Sequence, residues 1–133
     1  MKTIDNAFKG EALKNFATLL KENGFNIYVS ESTNSLAQSY FHFELNNQIG
    51  YVQIDESIYT NRLRFTSVHK PNKLTGTGFG LQDAYEGIEN PTIEDAKEAF
   101  IFSPRWAKSV IKYKNIEEFQ AEKLKFNTQL IKL

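Results

Sequence analysis

From Phe25 to Leu81 apolar and polar residues alternate through four successive segments. Successive side chains of a strand point to opposite sides, so such a chain is constrained to a sheet with two unlike faces. Phe25, Ile27 and Val29 share one face of the first segment; Phe41, Phe43 and Leu45 share it in the second. Val52 and Ile54 continue it in the third, and Leu63 and Phe65 in the fourth. The opposite face collects Tyr40, His42 and Glu44, then Tyr51, Gln53 and Asp55, then Arg64, Thr66 and Lys70, with Val68 alone departing from the alternation. Asn46-Asn47 separates the second and third segments, and asparagine tolerates the positive φ of a tight hairpin. An antiparallel sheet commonly keeps one face in water, so the face with Tyr40, Tyr51 and Arg64 is expected to be solvated and open.

The apolar face needs a cover, and the flanking sequence supplies helices. Ala12, Leu13, Phe16, Leu19 and Leu20 recur at three- and four-residue intervals over 11–22, with Asn23-Gly24 as the stop. Phe8 either extends this helix or anchors the arm before it. Thr92 with Asp95 marks a second start, continued by Ile93, Ala96, Ala99 and Phe100 until Pro104 forbids further helix near Phe102. Trp106 is expected in the core, and Val110 to Tyr113 has the composition of a fifth strand. Asn115 with Glu118 opens a last helix, carrying Ile116, Phe119, Leu124, Phe126, Leu130 and Ile131 to near the C-terminus. The expected class is α+β in two layers: an N-terminal helix, an antiparallel meander of three to five strands, and C-terminal helices on one sheet face.

A length of 133 residues suits one domain over 1–133, large enough to bury about two thirds of its unfolded surface. With no cysteine, disulfides and thiolate metal sites are excluded, and a reducing, cytoplasmic setting is expected. No apolar run approaches the roughly 20 residues that span a bilayer, so no membrane association is expected.

Sixteen basic and sixteen acidic residues cancel, which excludes a polycation or an acidic nucleic-acid mimic. The charges are nonetheless segregated. Residues 57–82 hold Arg62, Arg64, Lys70 and Lys73 and no acid; 83–98 hold six acids against Lys97; 99–116 are basic again.

Candidate chemistry is sparse. The loop His69 to Gly80 places Gly76, Gly78 and Gly80 between Thr75, Thr77 and Phe79, leaving amides and hydroxyls unobstructed beside Lys70 and Lys73. Those are the ingredients of an anion cradle, although the spacing matches neither a dinucleotide fingerprint nor a P-loop. A plain hairpin tip would use the same glycines for backbone geometry alone. His42 and His69 are the only histidines and lie on different segments, so no metal or other cofactor is implied. An acid–base role for a histidine would require a cleft with a carboxylate.

The pattern therefore predicts a cytoplasmic, non-enzymatic interaction domain. It suits an adaptor, or an inhibitor of the phage or plasmid kind, docking on a larger protein or nucleoprotein. Tyr40, His42, Tyr51 and Arg64 would form the contact face, with Lys70, Lys73, Thr75, Gly76, Thr77 and Gly78 gripping acidic or phosphate groups. The same surface could stack single-stranded nucleic acid, tyrosines on bases and lysines on phosphates.

Overall fold

The structure, a computed structural model, describes residues 2–31, 37–55, 61–70, 87–101 and 111–133. Lys73, Thr75, Gly76, Thr77 and Gly78, like Trp106, lie outside the described residues.

Six strands form one sheet: β1 (Asn26–Ser30), β2 (Tyr40–Leu45), β3 (Gln48–Ile54), β4 (Arg62–Ser67), β5 (Ile88–Glu89) and β6 (Leu130–Lys132). Their order is β5-β4-β3-β2-β1-β6, and every pairing is antiparallel. The β2–β3 turn has the predicted chemistry, Asn46 at φ 51° and Asn47 at φ 68°, both in the left-handed region that a two-residue hairpin requires.

The first face is the apolar one. Helix α2 (Glu11–Glu22) buries Leu13, Phe16, Ala17 and Leu20 on it and stops where Gly24 turns to φ 85°. Phe16 meets the Phe65 ring edge-on at 5.3 Å. Helix α3 (Ile93–Ala99) starts at Thr92, whose hydroxyl accepts from the Asp95 amide while Asp95 accepts from the Thr92 amide at 2.7 Å. It brings Ala96, Ala99 and Phe100 to the same core, with Phe100 5.4 Å from Phe43. Phe43 fixes one more residue: a Cβ at its register partner Gly50 would come 2.4 Å from the Phe43 ring, so only glycine admits that ring. Phe8 anchors the arm. After the short α1 (Ile4–Ala7) it bridges Gln38 and packs 5.0 Å from Phe41.

The α+β class and antiparallel meander are as the sequence predicts, with four differences. The sheet has six strands where three to five are expected, because the short β5 and β6 extend its two edges. Ile111 to Tyr113 pairs in no strand, although the Lys70 amide donates to the Ile111 carbonyl at 2.7 Å. The last helix, α4 (Ile116–Leu124), begins at Asn115 as predicted but ends eight residues before Lys132. Asn127 adopts φ 57° and the Thr128 amide reaches back to the Lys123 carbonyl at 3.1 Å. That is a helix stop with asparagine where glycine usually sits, and it frees Leu130 to Lys132 to pair with β1. Finally, α4 lies on the other face from α2 and α3, with Phe119 fully buried against that side.

Candidate interaction surface

The register assembles the predicted contact face. Tyr28, His42, Tyr51 and Thr66 fall in one row across β1, β2, β3 and β4, and Tyr40, Gln53 and Arg64 fall in the next. Tyr40 lies 5.4 Å from Tyr51 and 6.0 Å from His42. Its hydroxyl shares a 3.1 Å hydrogen bond with Ser30 Oγ, and Tyr51 donates to Gln53 Oε1 at 2.8 Å.

The residues come together, but the open face predicted for them is covered. Phe119 sits 5.0 Å from His42 and 5.1 Å from Tyr113, making a second core with Ile49, Tyr51, Val68 and Leu130. Val68 thus follows the alternation after all, facing a core and not water. His42 is 1% exposed and Tyr51 5%, while Tyr40 and Arg64 are half-buried. A tyrosine under a helix offers no base a stacking surface. Lys70 is also engaged: it is paired with Glu118, and its ammonium lies 5.8 Å from the centre of the Tyr113 ring.

The covered face carries unusual polar groups. Both ring nitrogens of His42, the Thr66 hydroxyl and the Tyr113 hydroxyl are buried without a hydrogen-bond partner. Burial, followed by the nearby Lys123 ammonium, pushes the His42 imidazole down to about 3. Burial likewise lowers His69, with Lys112 adding to it, and raises the Tyr51 and Tyr113 hydroxyls. His42 is consequently a neutral core ring at pH 7, closed off from any substrate by Phe119. Among the described residues no group of three His, Asp or Glu side chains is placed to hold a metal ion, and no helix is long and apolar enough to cross a membrane.

The far side of α4 is presented to solvent, as are Ile101 and Ile111 elsewhere on the surface. Tyr28, Ile116, Glu117, Gln120, Ala121 and Leu124 line a cleft of about 360 Å³ between the helix and β1. Leu124, in its wall, is 51% exposed. Gln120 closes the cleft toward the sheet edge, accepting from the Leu130 amide at 2.7 Å and donating to the Thr128 carbonyl at 3.3 Å. Its amide thus occupies part of the outer edge of β6, where an unpaired strand would otherwise invite another chain.

The sequence pattern placed Leu124 and Phe126 on one stripe with Phe119 and so missed this surface. At about 100° per residue, Ala121 lies roughly 200° and Leu124 roughly 140° around the helix from Phe119. That angular spread is the signal that could have found it: a helix burying Phe119 must turn Ala121 and Leu124 elsewhere. A second cleft, of about 430 Å³, lies between α2 and Pro91 and is bordered by Glu11, Asn15, Asn61 and Asn90.

No known protein family, curated protein or solved structure matches the chain.

Proposed function

We propose that this chain is a small non-enzymatic interaction domain that docks on a larger protein, as an adaptor or inhibitor would, through the outer side of α4. The observation that carries the reading is an apolar cleft on the outer side of α4 whose wall includes Leu124, a large apolar side chain left 51% exposed. Single exposed apolar residues are ordinary on a protein surface. A cleft walled by Tyr28, Ile116, Ala121 and Leu124 is a contiguous patch of the kind that marks binding sites. The alternative reading, in which the sheet's polar face stacks single-stranded nucleic acid, loses support because His42 and Tyr51 are buried there.

The test is site-specific photo-crosslinking from Ala121 in the cells that make the protein. A discrete protein adduct is expected that survives nuclease and disappears with Leu124→Glu, while a crosslinker at Lys14 on α2 gives none. Adducts only to nucleic acid, or adducts indifferent to Leu124→Glu, would remove the reading. Leu124 is half exposed, so Leu124→Glu should leave the urea midpoint within the small range of surface substitutions, about 0.5 kcal/mol.

A further inference from the structure

The charges around the cleft are not equivalent. Lys70 is paired with Glu118, Lys125 pairs with Glu122 at 3.2 Å, and the Lys123 ammonium lies 5.9 Å from the centre of the Phe119 ring. Glu117, which lines the cleft, is exposed, and its side chain makes no ion pair or hydrogen bond among the described residues. The Tyr28 hydroxyl lies on the cleft floor. It is pushed above the usual phenol range by burial first, then by the carboxylates of Glu44 and Glu117. An apolar cleft thus carries at its wall one carboxylate that no cation among the described residues pairs with.

We infer that the occupant of this cleft is a short segment of a partner protein combining apolar side chains with a lysine or arginine. Its apolar groups would cover Tyr28, Ala121 and Leu124, and its cation would meet Glu117. The inference rests on the docking reading above and adds the chemistry of the partner. Size supports a segment: about 360 Å³ is at the small end of the roughly 300–1,000 Å³ typical of pockets, enough for a few side chains. Charge argues against a second copy. A twofold contact through this patch would set the same surface against itself and bring Glu117 toward its symmetry mate, and like charges across an interface oppose association. The exposed Lys132, in register with Tyr28 on β6, supplies an internal control, since a cationic segment gains nothing from it.

Selection of displayed random peptides of about 15 residues, a length able to fill a groove, on the purified full chain tests this directly. Enriched sequences should combine leucine-like or aromatic residues with lysine or arginine above their frequency in the starting library. Their binding should weaken at least about tenfold with Glu117→Lys, fall further at high salt, and hold or tighten with Lys132→Glu. Circular dichroism of both variants should match the parent, because both positions are exposed. Peptides that are neutral or acidic, lose binding with Leu124→Glu and ignore Glu117→Lys would overturn the inference and leave docking standing. Failure to enrich any peptide sensitive to Leu124→Glu would overturn both. Self-association in sedimentation that the peptides compete away would overturn the inference in favour of a second copy.

Discussion

The two faces of the sheet are both covered, yet by different chemistry. The first buries Phe41, Phe43, Val52, Leu63 and Phe65 under α2 and α3, with ring on ring and no polar atom among them. The second buries His42, Tyr51, Thr66 and Tyr113 under α4, with the His42 nitrogens and the Thr66 and Tyr113 hydroxyls unbonded among the described residues. Leaving a buried donor or acceptor unpaired costs about 1–3 kcal/mol, so the second core is the weaker one, and α4 is the element held by it. A helix packed over a polar layer, with an apolar cleft on its outer side, is the part of this molecule best placed to respond to a partner.

Acid should separate the two faces most sharply. The folded state holds His42 down to about 3, whereas the unfolded chain protonates near 6.5. Between those values the unfolded state binds the extra proton, so this contribution to stability is intact above about pH 6.5 and falls as the pH drops toward 3. At about 1.4 kcal/mol per pH unit the loss approaches the order of 5 kcal/mol. Buried His69, also lowered, adds with the same sign. Urea unfolding from pH 7 to 3.5 should show this decline, with hydrogen exchange rising first in α4 and only later in α2. A decline that is no steeper in the parent than in His42→Leu would show that His42 is not buried as described.

The first face breaks sterically. In Gly50→Ala the new Cβ would need the space of the Phe43 ring, 2.4 Å away. Phe43 is fully buried between Phe25, Phe41 and Phe100, so the ring has no open side to move to. Overpacking of this kind costs about 1–3 kcal/mol, more than the few tenths to 1 kcal/mol that alanine returns by restricting the unfolded chain. The midpoint of urea unfolding at pH 7 should fall accordingly, with no change in its pH dependence. An unchanged midpoint would mean that the ring does not lie over Gly50.

The same contrast explains what could be foreseen from sequence. Phe41, Phe43, Leu63 and Phe65 carry only apolar atoms, so period two assigned their face without ambiguity, and Thr92 and Asn115 announced their helices by hydrogen bonds local to the chain. Tyr40, His42 and Tyr51 are amphipathic and fit a wet face as well as a buried one. Which one they adopt depends on where Phe119 lands, a contact 77 residues from His42 in the sequence that no local pattern encodes. Val68 was the visible misfit, and it signalled the second core. Likewise Leu130 and Ile131 match a helical stripe until Asn127 at φ 57° ends the helix; asparagine permits that turn without announcing it.

The smallest effect runs opposite in sign. In His42→Leu the side chain keeps nearly its volume, loses ring contacts with Tyr51 at 5.3 Å and Phe119 at 5.0 Å, and removes two unbonded nitrogens. Aromatic contacts of this type are worth about 0.5–1.5 kcal/mol, and the relieved desolvation about 1–3 kcal/mol. The balance favours leucine, so the variant should gain about 1 kcal/mol at pH 7 by urea unfolding, and more at pH 4, where the parent has begun to lose stability and leucine has not. Because Phe119 would then rest on an apolar surface, α4 should exchange its amides more slowly than in the parent. A loss of stability at pH 7 would show that His42 does have a bonded partner, and with it that the second core is not the weaker of the two.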